Sequence, residues 1–361
     1  MVIPTNHTKR RSFSLNRILT SILFAGLVVI FLQRLKHKES QSLQTSFTLF
    51  AKEDQENEVI PISSGKKDIP INDCLQHINQ VRGIRLYSQN DEDGAILQTL
   101  HCMGGHGTKE YFEFGSEDGS EVNTRVLRDL YGWHGHLLDG SNEDNTIPLH
   151  KEFFTPSNIV SLMKKYNVSK ELDVLSIDCD MDDFYVTREI LLSGFRPRVL
   201  INEYNVNFGP EWEVTTLPKP VGEESDPKHF WKGDCYFGVS ARAVISLVRA
   251  FGYAPVFANR VNVIFVRMDK AEELGLSLPS PDIFPGPLPF ALHRDCHKRT
   301  WKKVDTNAIK KATDESVSHV DFAKSMGDII LDHKKYRNVR HPSGTAESWR
   351  IFKDVTKEYD K

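Results

Sequence analysis

A glycine-bearing turn and two acid-rich strand ends carry the residue types from which a chemical site can be built. The first is Glu113-Phe-Gly-Ser-Glu-Asp-Gly119, which joins a short aromatic run to a helical one. Where a strand turns into a helix, glycine lets the backbone approach a ligand closely, and free helix N–H groups favour a negative end such as a carboxylate. Gly115 and Gly119 supply the glycines, and Glu113 is placed to reach a cofactor's amino group directly or through water. About 20 residues further on, Leu137-Leu-Asp-Gly140 ends a strand with Asp139, where such folds hydrogen-bond ribose hydroxyls. A ligand-free turn for the glycines and a helix N-cap for Asp139 are the plainer alternatives.

The second strand end is Ser176-Ile-Asp-Cys-Asp-Met-Asp-Asp183, whose aspartates repel one another unless they meet a cation or solvent. Asp182 and Asp183 read as capping and charging the next helix. Asp178 and Asp180 differ, because alternation puts them on one side of the chain, and they are the candidate catalytic acids. The following strand ends Asn202-Glu-Tyr-Asn205. Asp178, Asp180, Glu203 and Asn205 form a donor set suited to a hard divalent cation, magnesium or manganese. A further acidic stretch, Tyr87-Ser-Gln-Asn-Asp-Glu-Asp-Gly94, reads as the capped start of an apolar helix.

These residues must be positioned by alternating elements. Strands are expected at 111–114, 135–139, 151–155, 172–178 and 198–203, with helices over 121–131, from 159, after Asp183 to Leu192, and over 240–251. Ala254-Pro-Val-Phe-Ala258 and Val261-Asn-Val-Ile-Phe-Val266 are separated only by Asn259-Arg260, which predicts an antiparallel hairpin. The expected fold is therefore α/β: a doubly wound, mostly parallel, Rossmann-like sheet with a C-terminal antiparallel hairpin.

The chain has 361 residues and a net charge of −3, which supplies no basic footprint for nucleic acid. Its five cysteines include no Cys-x-x-Cys pair; one or two disulfides are compatible with the count, and no pairing follows from it. Ile18 to Gln33 carries no charge and is flanked by Arg17 and Arg34. As a helix it spans about 24 Å against a hydrocarbon core of about 30 Å, and the flanking arginines extend it by snorkelling. A bulky basic stretch follows it instead of a cleavage site, so a single transmembrane signal anchor is expected. The domains then read as a short cytoplasmic tail (1–17), the anchor (18–34), a stem (35–80), a catalytic-type domain (81–270) and a C-terminal loop and helical extension (271–361). A short span suits the endoplasmic reticulum or Golgi, with the bulk of the chain lumenal and Asn167-Val-Ser169 open to glycosylation.

Taken in order, Tyr87–Gly94, Glu113–Ser120, Tyr131-Gly-Trp-His-Gly-His-Leu-Leu-Asp-Gly-Ser141, Leu175–Asp180 and Arg196–Asn205 resemble FkbM-like methyltransferase domains over about residues 84 to 268. The resemblance extends to a membrane-anchored, Star-like branch of that group. It implies a class I methyltransferase fold, S-adenosylmethionine as cofactor held by Glu113, Gly115, Gly119 and Asp139, and Asp178 beside the transferred methyl group. The sequence departs from the family at Met181, where glycine is usual.

The expected function is O-methylation of a hydroxyl on a glycan or small molecule. His229 or Tyr236, in the aromatic loop from Glu211 to Gly238, would act as gatekeeper of the substrate. Two alternatives stand beside it. One is a non-catalytic trafficking or adaptor protein on the same fold. The other is a type II Golgi glycosyltransferase using Asp178-Cys-Asp180, which leaves Gly115, Gly119 and the closing hairpin unexplained.

Overall fold

The structure is a computed structural model and describes residues 71–81, 83–207, 213–220, 222–233, 236–279, 300–304, 309–310, 313–318 and 327–330. The anchor expected at 18–34 lies outside the described residues. No described helix is long and apolar enough to cross a membrane.

Aromatic and β-branched runs fit a pleated surface, and here they form a seven-stranded sheet. Its strands are β1 (Glu110–Phe114), β2 (His134–Asp139), β3 (Leu149–Lys151), β4 (Val174–Ile177), β5 (Val199–Glu203), β7 (Tyr253–Ala258) and β8 (Asn262–Arg267). The order is β3-β2-β1-β4-β5-β8-β7. Five strands run parallel, β8 is antiparallel to β5, and β7 is antiparallel to β8. The chain first builds outward from β1 through β2 to β3, then restarts on the other side at β4. Between β1 and β4 the order reverses, and open α/β sheets place their ligands beyond the carboxyl ends of the strands at such a point.

β1, β4 and β5 are buried along their whole length, as strands covered on both faces must be. On one face, Phe112, Phe114, Leu175, Ile177 and Leu200 meet helices Ile159–Lys165, Asp183–Leu192 and Ala241–Arg249. On the other, Tyr111, Leu137, Val174 and Val199 meet Glu92–Cys102 and Arg125–Tyr131. Pro255, which cannot donate to a ladder, is tolerated because β7 is the sheet edge and carries a register shift between Pro255 and Phe257.

The third strand, the start of the domain and its C-terminal part differ from expectation. The third strand is Leu149–Lys151 rather than 151–155, because Phe153 and Phe154 leave the sheet to pack on Phe230 and Phe114. The domain begins before 81: a 3-10 helix, Ile71–Val81, buries Leu75 and Ile78 in the core, and a Cys74–Cys102 disulfide ties it to the helix ending at Cys102. Beyond 271, the described parts include strands β9 (Thr300–Lys303) and β10 (Gly327–Ile330), which join β6 (Val214–Thr215) in a small antiparallel sheet.

Candidate functional site

The expected site residues come together along the carboxyl ends of β1, β2, β4 and β5. Gly115 follows β1 with φ +72°, and a Cβ built on it would lie 1.8 Å from the main-chain oxygen of Asp178. The turn after β1 and the turn after β4 are thus pressed together at the point where the strand order reverses. Gly119, at φ +78°, would place a Cβ 2.5 Å from Ile147 Cδ1. Both glycines are required first by protein packing; closeness to a ligand would be an added consequence.

Glu113, at the end of β1, anchors the helix that follows. Its carboxylate is buried and accepts hydrogen bonds from the N–H of Asn123 (2.9 Å), the N–H of Thr124 (2.9 Å) and the Thr124 hydroxyl. Loss of solvent raises its pKa, and these donors oppose the rise. The side chain therefore secures the start of helix Arg125–Tyr131, which explains why the helix begins there and not at 121. Its influence on a cofactor would run through the backbone it holds.

Asp139 is half-buried at the end of β2. Its Oδ1 accepts from the N–H of Ser141 (2.7 Å), the N–H of Asn142 (2.8 Å) and Asn142 Nδ2 (3.1 Å), and its Oδ2 from the N–H of Glu117 (3.1 Å). A carboxylate has about four lone-pair sites, so Oδ2 keeps one for a ligand hydroxyl. Glu117 itself is left-handed (φ +43°), as is Asp180 (φ +60°). Non-glycine residues in this region store strain, which gathers at binding sites, and two of the four such residues described lie on these two turns.

The acids after β4 and β5 form the densest cluster. Oxygens of Asp178, Asp180 and Glu203 all lie within 4.8 Å of one another, with Glu203 buried, Asp178 half-buried and Asp180 exposed. Burial, then the neighbouring Asp180 charge, pushes Asp178 up to about 7. Burial, then the Asp178 charge, carries Glu203 and Asp183 well above the ordinary carboxylate range. The local backbone makes this crowding possible. Asp180 is the centre of a tight γ-turn in which the Met181 N–H donates to the Cys179 carbonyl (2.6 Å). The left-handed residue is therefore Asp180, so a side chain at Met181, where glycine was expected, meets no φ penalty.

Asn205, at the end of β5, is engaged by protein partners. Its Oδ1 accepts from the N–H and Nδ2 of Asn207, and its Nδ2 donates to the Phe237 carbonyl. It fastens the segment around Phe237 to the end of β5 rather than offering a free oxygen to a cation. Asp182 and Asp183 do stand at the N-cap position and in the first turn of helix Asp183–Leu192, as expected. Asp182 makes no side-chain cap bond, however, and instead pairs with Lys219 at 2.8 Å, both side chains nearly inaccessible. Asp183 Oδ1 accepts from the Cys179 N–H (2.8 Å), reaching back under the turn.

Lys219 had no signal in the sequence; the aromatic loop it helps to seat was expected as a substrate wall, but its packing on Phe153 as a shelf was not. Lys219 Nζ lies 5.6 Å from the Phe230 ring centre, Phe230 stacks on Phe153 (5.3 Å), and Trp231 packs against Phe237 (5.5 Å). Phe153 touches the Cβ position of Gly140, next to Asp139. The Gly238 N–H, next to Phe237, donates to the Asp180 carbonyl (2.7 Å). Phe230 and Trp231 stay 38% and 42% exposed, so the shelf lies open between the β2 end and the acids. Of the two expected gatekeepers, Tyr236 joins the loop's arms by accepting from the Leu217 N–H (3.0 Å), while His229 faces Glu223 at 3.5 Å.

Comparison with protein-family models and with curated proteins finds no match for this chain.

Proposed function

We propose that this chain is an S-adenosylmethionine-dependent methyltransferase of the class I, FkbM-like kind that methylates a hydroxyl group. The observation that carries the reading is the sheet order β3-β2-β1-β4-β5-β8-β7 with β8 antiparallel beside β5, the arrangement with which class I methyltransferases close their sheet. The cofactor would lie across the ends of β1 and β2. The Gly115 turn would face its methionine part, and the free lone pair of Asp139 Oδ2 would meet its ribose. That direction carries the methyl group toward Asp178 and Asp180.

When bound, the cofactor would supply a methyl group to an acceptor oxygen, its carbon–sulfur electron pair remaining on sulfur as the thioether. The hydroxyl proton would pass to a carboxylate, for which exposed Asp180 and half-buried Asp178 are the candidates. Holding the oxygen in line with the breaking bond supplies much of the acceleration, and the Phe230–Trp231 shelf is the surface on which a glycan or small molecule would be held.

The Cys74–Cys102 disulfide supports a lumenal setting behind a membrane anchor at 18–34, because such bonds persist in oxidising compartments such as the endoplasmic reticulum lumen. Incubation with methyl-labelled S-adenosylmethionine and a lumenal extract tests the activity. Label should enter a hydroxyl-bearing acceptor and be lost with Asp180→Asn; no transfer to any fraction argues against catalysis.

A second reading, a non-catalytic trafficking or adaptor protein, is favoured by Glu113 and Asp139, whose carboxylates are already largely occupied by protein donors. It predicts no affinity for S-adenosylmethionine.

A further inference from the structure

We propose that Asp178, Asp180 and Glu203 bind one hard divalent cation at the junction of β4 and β5. Their oxygens converge within 4.8 Å. Metal–oxygen distances of about 2.0–2.6 Å put ligands on opposite sides of an ion about 4–5 Å apart, so one ion fits between them with little movement.

One buried oxygen points to a ligand independently of that convergence, and a second adds uncompensated charge beside it. Glu203 is only 8% exposed, and its Oε2 has no hydrogen-bond partner among the described residues. Asp183 is fully buried behind the cluster, and its Oδ2 is likewise unpartnered. A buried carboxylate oxygen with nothing to bond is costly, and the cost grows when like charges surround it. Lys219 is the base beside these acids, and it is committed to Asp182 at 2.8 Å. A proton shared between two of the carboxylates would relieve one pair and leave the rest. A cation answers three ligands directly and offsets the charge of Asp183 behind them.

The donor set decides the kind of ion. All three ligands are carboxylates, which suit magnesium, manganese or calcium rather than zinc or copper, whose sites favour nitrogen and sulfur. Three ligands leave open positions on a six- to eight-coordinate ion. Exposed Asp180 marks the open side, where water or an acceptor oxygen would complete the shell. The cation site itself does not depend on methyl transfer.

The test uses the full chain, purified, stripped with EDTA and titrated with MnCl2 while the free aqua-ion signal is followed by electron paramagnetic resonance. MgCl2 and CaCl2 serve as competitors, and S-adenosylmethionine is absent. One manganese per chain should be taken up and displaced by the competitors. Asp180→Asn, at an exposed position, should weaken uptake at least tenfold while the metal-free melting temperature holds or rises. Glu203→Gln should behave alike, since it removes repulsion in the metal-free protein; if it fails to fold, Asp180→Asn decides alone. No loss of free manganese signal at millimolar metal, or equal uptake by wild type and Asp180→Asn, would overturn the proposal.

Discussion

Gly115 and Asp178 come so close that a single methyl group on Gly115 would stand 1.8 Å from the Asp178 carbonyl oxygen. This contact joins the strand end expected to carry a cofactor to the strand end that carries the acids. The obstacle is backbone, which cannot swing aside.

Gly115→Ala should therefore cost more than Gly119→Ala. Both introduce a side chain at left-handed φ, worth about 1–2 kcal/mol. At Gly119 the obstacle is the end of the Ile147 side chain, which can turn away. At Gly115 the turns must part, adding about 1–3 kcal/mol of overpacking. Urea denaturation of both variants measures the difference; equal losses would mean that the two turns are not pressed together.

A second prediction concerns the far edge of the sheet. His136 Nδ1 lies 3.0 Å from His150 Nε2, and Tyr166 stacks on His150. Burial first, then the charges of His150 and His134, lowers the His136 pKa. Glu152, bonded to Lys165 and Tyr166 nearby, has its own pKa lowered and stays ionised through the same range. The unfolded chain thus binds the His136 proton more readily than the folded one. The stability contribution is complete above the unfolded value near about 6.5 and is lost as pH falls through it. Denaturation midpoints should drop between neutral and mildly acidic pH, and His136→Gln should flatten that drop. An unchanged slope in the variant would contradict the assignment.

Reduction gives a third. Cys74 and Cys102 close a loop with a sequence separation of 28, for which the chain-entropy account gives about 3–4 kcal/mol. Denaturation with and without dithiothreitol should differ by roughly that amount, and the Cys74→Ser/Cys102→Ser protein should resemble the reduced one. Insensitivity to reductant would mean that the bond is not formed in the protein as made.

Much of the sheet was legible in the sequence because its central strands are buried along their length and rich in aromatic and aliphatic residues. The 111–114, 135–139 and 198–203 segments fall within a residue of β1, β2 and β5, and the hairpin follows from the two residues at its turn. Where long-range partners decide, local pattern failed. Nothing within 121–124 says that Glu113 will take the amides of Asn123 and Thr124 and delay the helix. Asp182 has the form of a cap, yet Lys219, 37 positions away by residue number, claims it. Leu75 and Ile78 had helical spacing inside a polar stretch, a signal too short to set against the composition around it. The acids were visible as a group, but only folding separates Glu203, with its unpartnered oxygen, from Asn205, whose oxygen is used.

Isothermal titration of S-adenosylmethionine into the full chain asks whether the ends of β1 and β2 hold this cofactor. One-to-one binding is expected, with S-adenosylhomocysteine competing. Asp139→Ala should weaken it by about tenfold or more, the value of a hydrogen bond to a charged group. No heat with S-adenosylmethionine, together with binding of a UDP-sugar in the presence of manganese, would contradict it.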